Sequence, residues 1–387
     1  MIYNFDNQID REGTSSVKFD LRAFFFKTED LLPMWVADMD FETPEFIRDA
    51  VIERAKHPIY GYTFKDDTYY QHIIDWFQRR HQWEISKDSI IFSPGVVPAL
   101  NLAMLAYTKP NDKVIVQSPV YFPFFTAISD HGRQMVNNQL IKGETQYEID
   151  FDLLEKQAED AVMLILCNPH NPVGRAWKRW ELERIASICI KNNVIVLSDE
   201  IHCDLVLPGY KHQVFADLSP DAAEITITAH APSKTFNLAG LGTSSVIITN
   251  PELRKKFKDI IQHLHLEMGN LFGITASNAA FSAGDEWLEQ LLNYINQNVD
   301  DTVDFFEKNL PRIKVFRPEA TYMIWLDFSA YGLSDNELKN KMIDEAKLGL
   351  SQGIQFGAGG ESCMRLNVAC PNATLQEALA KMHKVFA

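Results

Sequence analysis

The sequence predicts an α/β protein, with a large domain built on a mostly parallel sheet flanked by helices and a smaller α+β domain drawn from both termini. Five short apolar segments, 113–118, 162–167, 194–198, 225–229 and 244–249, recur at intervals suited to βαβ units. The stretches between them, such as 178–191, read as amphipathic helices. The segments are continuously apolar rather than alternating, the pattern of strands buried on both faces. At 387 residues the chain also exceeds a single ordinary core. The expected division is an N-terminal arm and part of the small domain at 1–45, the large domain at 46–285 and the small C-terminal domain at 286–387.

Taken in order, residues 1–42 look irregular but contain the apolar run Leu31 to Phe41, interrupted by Asp38 and Asp40. Two acids are costly to bury, so they face a cleft or a turn, or stand solvated on a loop packed over a core. Thr43-Pro44-Glu45 opens a helix, with threonine as cap, proline at the first helical position and an acid in the first turn. That helix ends near His57-Pro58. Tyr60-Gly61-Tyr62-Thr63 is a loop. A helix over 66–81 follows, with Tyr69, Ile73, Trp76 and Phe77 on one face as a core stripe. Ile90 to Ser93 is a strand, and Pro94-Gly95 turns it into a helix beginning at Val96. Beyond Pro251 a helix reaches about His265, and another runs from about Asp285 to Leu310. In the C-terminal part Met323–Asp327 and Met364–Val368 read as strands, and 335–349 and 374–386 as helices.

Bulk numbers exclude several classes. The formal net charge of −15 argues against a nucleic-acid or anionic-membrane surface. No apolar run approaches the roughly 20 residues that span a bilayer. The first residues, Met1 to Asp6, have neither the basic nor the apolar region of a secretory signal. The five cysteines, Cys167, Cys189, Cys203, Cys363 and Cys370, include no C-x-x-C pair, so no metal site is expected. Free thiols suit a reducing cytoplasm. Cys203 reads as a packed strand-end residue, with a reactive thiol as the alternative.

The chemistry concentrates between Ser198 and Lys234. The strand 194–198 ends in Ser198-Asp199-Glu200-Ile201-His202, and the strand beginning at Ile225 leads to Pro232-Ser233-Lys234-Thr235. One strand thus delivers an acid and the other a lysine to the C-terminal edge, where open parallel sheets bind ligands. An amine and a carboxylate there suggest Schiff-base chemistry, the acid holding a positive charge on a cofactor that carries a carbonyl. Pyridoxal 5'-phosphate (PLP) meets that description. The helix N-terminus at Val96 and Val97, preceded by glycine, offers free N–H groups for its phosphate.

Several separated motifs coincide with this reading: Asn168-Pro169-x-Asn171-Pro172-x-Gly174, Ser198-Asp199-Glu200-Ile201-His202, Ser233-Lys234-Thr235-Phe236-Asn237 and Arg365-Leu366-Asn367. In this order the chain resembles the aspartate-aminotransferase superfamily of PLP enzymes. Trp35-Val36-Ala37-Asp38-Met39-Asp40-Phe41 and Tyr60-Gly61-Tyr62 are similar to signatures of its cystathionine β-lyase, or carbon–sulfur lyase, branch. The resemblance spans nearly the whole chain. It implies a PLP-dependent transferase-like fold with a seven-stranded sheet, and a homodimer with shared sites.

The resemblance also implies roles. Lys234 would form the Schiff base and then act as acid and base at the substrate Cα. Asp199 would pair with the pyridine nitrogen, Asn171 and His202 would hydrogen-bond the ring hydroxyl, and Tyr121 would stack on the ring. The amides of Val96 and Val97 and the hydroxyl of Ser233 would hold the phosphate, joined by Tyr62 from the neighbouring subunit. Arg365 would grip the substrate carboxylate, with an internal salt bridge as its structural alternative, and a packed histidine is the alternative for His202. Ala37, Asp38 and Asn171 would line the substrate side. Two departures from the wider superfamily stand out, since Ala231 and Gly242 lie where many relatives carry a phosphate-binding serine and arginine.

The implied reaction is α,β-elimination from L-cystathionine or L-cysteine-type substrates, giving pyruvate, ammonia and a thiol. The rivals are an aminotransferase using the same residues and a metabolite-sensing regulatory protein on the same fold. A nicotinamide enzyme is excluded, because no strand leads into G-x-G-x-x-G.

Overall fold

The computed structural model describes residues 2–387, and seven strands form its central sheet. They are β1 (Ile90–Ser93), β2 (Lys113–Val116), β3 (Gln134–Asn137), β4 (Ala161–Cys167), β5 (Ile195–Asp199), β6 (Thr226–His230) and β7 (Ser244–Ile247). Their spatial order is β1-β7-β6-β5-β4-β2-β3. From β3 to β6 the neighbours are parallel. β7 is antiparallel to both β6 and β1, so β1 again points the same way as β6.

The continuous apolar character of the strands follows from burial on both faces. Val114, Val116, Met163, Ile165, Leu197, Ile227 and Val246 face one core, packed by Leu100, Met104, Phe124, Phe257 and Ile261 from helices Val96–Tyr107, Pro123–Ser129 and Pro251–His263. The alternate residues Ile115, Leu164, Leu166 and Val196 face the other, with Leu182, Ile185 and Cys189 of helix Arg179–Asn192. This is the period-two alternation of a strand, with both halves buried. β3 is the strand that apolar pattern does not announce: it lies at the sheet edge, and Gln134 and Met135 are exposed.

A second, antiparallel sheet contains β8 (Lys314–Phe316), β9 (Met323–Asp327), β10 (Ser351–Gln352) and β11 (Cys363–Asn367), in the order β8-β9-β11-β10. Helices Asp285–Asn309 and Asn372–Phe386 pack with its apolar face through residues such as Leu291, Ile295, Leu375 and Leu379. The N-terminal arm joins this part where Leu32–Pro33 pairs in parallel with Leu348–Gly349.

Four local expectations need correction. Residues 1–42 are not wholly irregular, since Val17–Asp20 and Arg22–Phe26 are short helices. Helix Glu45–Lys56 has Pro44 at its cap with no side-chain cap, and the Thr43 hydroxyl instead donates to the Asn237 carbonyl at 3.4 Å. The helix expected over 335–349 covers only Asp335–Asn340; a wider turn over Lys341–Glu345 ends it before Leu348–Gly349 goes extended to meet the arm. Helix Leu271–Ala283 has no counterpart in the sequence reading, because alanine, glycine and serine occupy its faces and blur the period. All five cysteines are free and buried, and burial pushes the Cys203 thiol well up, which favours the packing role over a reactive thiol. No helix among the described residues is long and apolar enough to cross a membrane.

Candidate active site

Strands β1, β2, β4, β5 and β6 all point the same way, so the residues that follow them meet along one edge. A cavity of about 280 Å³ lies there. Val96 and Val97 enter it after β1, Tyr121 after β2, Asn171 after β4, Asp199 and His202 from β5, and Ser233 and Lys234 after β6; Ala37 closes it from the arm. The register places Cys167 beside Asp199 and Asp199 beside Ala229, so the acid and the lysine come from adjacent strands. The departures from the superfamily pattern fall at its border: Gly242 lines the cavity, with φ +53°, and Ala231 is buried beside Val96.

The charges at this edge are perturbed chiefly by desolvation. Burial raises Asp199 to about 7, against the lowering effect of the Ile201 N–H and Lys234. Burial lowers Lys234 to about 8, with the Arg365 charge acting in the same direction. Its Nζ donates to the Ala37 carbonyl at 2.6 Å, an oxygen that also accepts from the buried Tyr322 hydroxyl at 3.1 Å. His202 is driven down to about 3 by burial and by the charges of Lys234 and Arg365, so its imidazole is neutral. Its Nδ1 is buried without a hydrogen-bond partner.

Asp199 also gives the cofactor-free protein a pH-dependent stability. The folded carboxyl keeps a proton between about pH 4 and pH 7 that the unfolded chain releases, so its contribution is complete below about pH 4 and is lost as pH rises through about 7. His202 works in the opposite sense, its contribution being present above about 6.5 and lost as pH falls toward about 3. Asp199→Asn is therefore expected to lose less stability than the native cofactor-free protein between pH 5 and pH 8, read as the shift in urea midpoint. Equal shifts in the two proteins would count against the assigned burial of Asp199.

Arg365, on β11, has side-chain hydrogen bonds to Asn171 Oδ1 at 3.0 Å, the Trp35 carbonyl at 2.9 Å and Ser351 Oγ at 3.3 Å. Only 4% of it is exposed, yet it forms no ion pair among the described residues and its Nε–H has no partner. The internal salt bridge is thus absent. A buried guanidinium without a counter-ion is costly, and burial lowers its pKa to about 10. An incoming carboxylate would satisfy it.

The two acids of the arm are neither solvated nor open to a cleft as free charges. Arg11 donates to Asp38 at 2.7 Å and Asp40 at 2.6 Å, and the buried Lys18 pairs with Asp40 at 2.6 Å. Asn367 Nδ2 donates to the carbonyls of Val36 and Asp38, both at 2.7 Å, while Asn237 Nδ2 holds those of Met39 and Phe41. Asp38 therefore shapes the adjoining groove of about 940 Å³, which Ala37 and Lys234 also line. Arg11 and Lys18 escape sequence reasoning, because nothing in an arm of mixed polarity marks a buried lysine or the arginine that shares its acids. Tyr62 is not brought to the cavity of its own chain; it is 97% exposed, in a loop where Ile59, Tyr60 and Phe64 are exposed too.

The side chains fit PLP on their own chemistry. A buried carboxyl with one oxygen bound only to the Ile201 N–H suits a pyridinium nitrogen. A neutral histidine with an unpartnered nitrogen and the Asn171 amide suit a ring hydroxyl, and the first N–H groups of helix Val96–Tyr107 suit a phosphate.

Comparisons with known proteins point the same way. The family model for aminotransferase class I and II matches residues 29–382. The cystathionine β-lyase PatB of Bacillus subtilis (strain 168) is 47% identical over 381 residues, covering 98% of each chain. Among solved structures, a PLP-bound protein of Clostridium difficile 630, described only provisionally as an aminotransferase, superposes with a TM-score of 0.98 at 41% identity over 100% of both chains. Cystalysin from Treponema denticola, which contains PLP, gives 0.96 at 38% identity over 100% of this chain and 99% of its own.

Proposed function

The chain belongs to the aminotransferase class I and II family, and from that premise we propose that it is a PLP-dependent carbon–sulfur β-lyase, cleaving L-cystathionine or L-cysteine-type amino acids to pyruvate, ammonia and a thiol. When bound, PLP supplies the carbonyl that takes the substrate amine and the electron sink for the carbanion at Cα. The protein contributes binding, orientation and proton transfer.

Asp199 would hold the ring nitrogen, Asn171 and His202 the ring hydroxyl, and Tyr121 the ring face. Val96, Val97 and Ser233 would hold the phosphate, with Tyr62 of the partner subunit. Arg365 would grip the substrate carboxylate with a planar fork, its alignment set by Asn171, Trp35 and Ser351. That orients the Cα–H toward Lys234. With its pKa lowered to about 8, the Lys234 amine is partly unprotonated near neutral pH and can accept that proton. The Ala37 carbonyl, which accepts from this amine, keeps it aimed at the substrate side. The lysine then carries the proton to the departing sulfur as the Cβ–S bond breaks, so that the thiol leaves neutral, and the three-carbon enamine, once released, takes up water to give pyruvate and ammonia.

The observation that carries the reading is the buried Arg365, without an ion pair among the described residues, at one cavity with the half-buried Lys234 and the buried Asp199, which together suit an α-amino acid. A side-chain carboxylate with no amine beside it, as on a dicarboxylic aminotransferase substrate, has less to meet, whereas the distal carboxylate of L-cystathionine brings its own ammonium. The guanidiniums of the adjoining groove, Arg11 and Arg48, are engaged by Asp38, Asp40 and Glu42.

The exposed apolar loop around Tyr62 supports a homodimer with shared sites, and the free, buried thiols support a cytoplasmic protein. We also assign 1–45 and 286–387 to a small domain and 46–285 to the large one. Consumption of L-cystathionine by the PLP-loaded protein, measured with and without an added 2-oxo acid, tests the function. A rate independent of the 2-oxo acid is expected; a rate that requires it would make the protein an aminotransferase.

A further inference from the structure

Behind the cavity lies a second buried carboxylate that the reaction does not use. Asp204 is 3% exposed and lies just past His202 in the turn that follows β5, whose last residue is Asp199. Its Oδ1 accepts from Trp76 Nε1 at 3.1 Å and His81 Nε2 at 2.8 Å, and its Oδ2 from the Thr235 hydroxyl at 2.9 Å and His230 Nε2 at 3.4 Å. The remaining titratable groups facing it are Cys203 and, packed edge-on to His81, the His212 and Glu200 pair. His81, Cys203 and Asp204 could be imagined as cation ligands, since their ligand atoms lie within 4.8 Å of one another. Both Asp204 oxygens are already filled by donors, which makes it a fixed acceptor instead.

Among the donors, Thr235 reaches the chemistry. It adjoins Lys234 on Pro232–Thr235, a helical segment of four residues. One turn does not hold itself in place. The Phe236 N–H to the Pro232 carbonyl and the Leu238 N–H to the Ser233 carbonyl close the turn, each at 2.9 Å, and the Thr235 hydroxyl ties it from outside to Asp204. A buried threonine hydroxyl commonly bonds back to its own helix. Here it reaches 31 positions along the chain to a carboxylate held by helix Asp67–His81 and strand β6.

We propose that Asp204 is a positioning residue for Lys234, acting through the Thr235 hydroxyl to set the height and direction of the lysine at the cavity edge. The proposal rests on the β-lyase reading for its activity arm alone. Thr235→Val, nearly isosteric but without the donor, is to be compared with Thr235→Ser, which keeps it, both loaded with PLP. Expected for valine are a kcat for pyruvate release lower by about tenfold with KM within about twofold, since small misplacements of a reacting group act on the chemical step. The pH midpoint of the visible band of bound cofactor is expected to move by about half a unit or more, because the lysine environment changes. Serine is expected to restore both. If the valine protein does not fold, Thr235→Ala carries the same expectation. Native kcat and band midpoint in the variant lacking the hydroxyl, or equal damage in the serine variant, would overturn the proposal. If the native protein releases no pyruvate, the β-lyase reading fails while the band midpoint still decides this one.

Discussion

Replacing Lys234 by alanine is expected to reduce pyruvate release from L-cystathionine by about a thousandfold or more, the upper range for loss of a positioned acid or base. The size follows from the site. Lys234 is the cation closest to the chemistry whose pKa is brought down, to about 8, far enough to exchange protons near neutral pH. Arg365 stays charged at about 10, and the neutral His202, at about 3, is a poor base. The variant is expected to stay folded, since the lysine side chain lines the cavity rather than packing a core. Steady-state pyruvate formation checks it, with near-ultraviolet circular dichroism as the fold control. Activity within tenfold of native would mean that another group moves the Cα proton.

Asp199→Asn is expected to lower kcat by about 10²–10⁴-fold, from the roughly 3–5 kcal/mol that breaking a buried ion pair costs and about 1.36 kcal/mol for each decade of rate. The asparagine keeps the shape and an oxygen acceptor but carries no charge to hold a proton on the ring nitrogen. Unpaired, Asp199 sits near 7 because burial opposes its charge. A cationic partner pulls it back down, and the same interaction keeps the partner protonated. The expected signature is a loss in kcat larger than the change in KM for the amino acid, because the substitution leaves untouched Arg365, the proposed carboxylate partner. A variant with native kcat would remove the ring-nitrogen role from Asp199.

The large sheet was legible because its strands are apolar on both faces and its turns carry polar residues at fixed places. Asp199, Asn171, Lys234 and Tyr121 could be picked out for the same reason: each follows a strand that the pattern announces. Arg365 was legible from its apolar flanks, but its lack of a counter-ion was not, since only the folded arrangement of Trp35, Asn171 and Ser351 shows what surrounds it. The arm was harder. Lys18 sits in Val17–Asp20, a stretch with no period, and its burial depends on Asp40 arriving 22 residues later in the chain. Asp204 was hidden too, because its partners Trp76, His81, His230 and Thr235 come from three separate elements. Trp76 in particular belongs to a stripe that reads as plain core, and it is core, with its indole N–H put to use.

The most direct measurement of the central claim is the product balance from L-cystathionine with purified, PLP-loaded protein and no 2-oxo acid. Pyruvate, ammonia and thiol are expected in equal amounts, continuing linearly through many turnovers per site. Release that stops after about one equivalent per site, or amino-acid consumption without thiol, would contradict β-elimination.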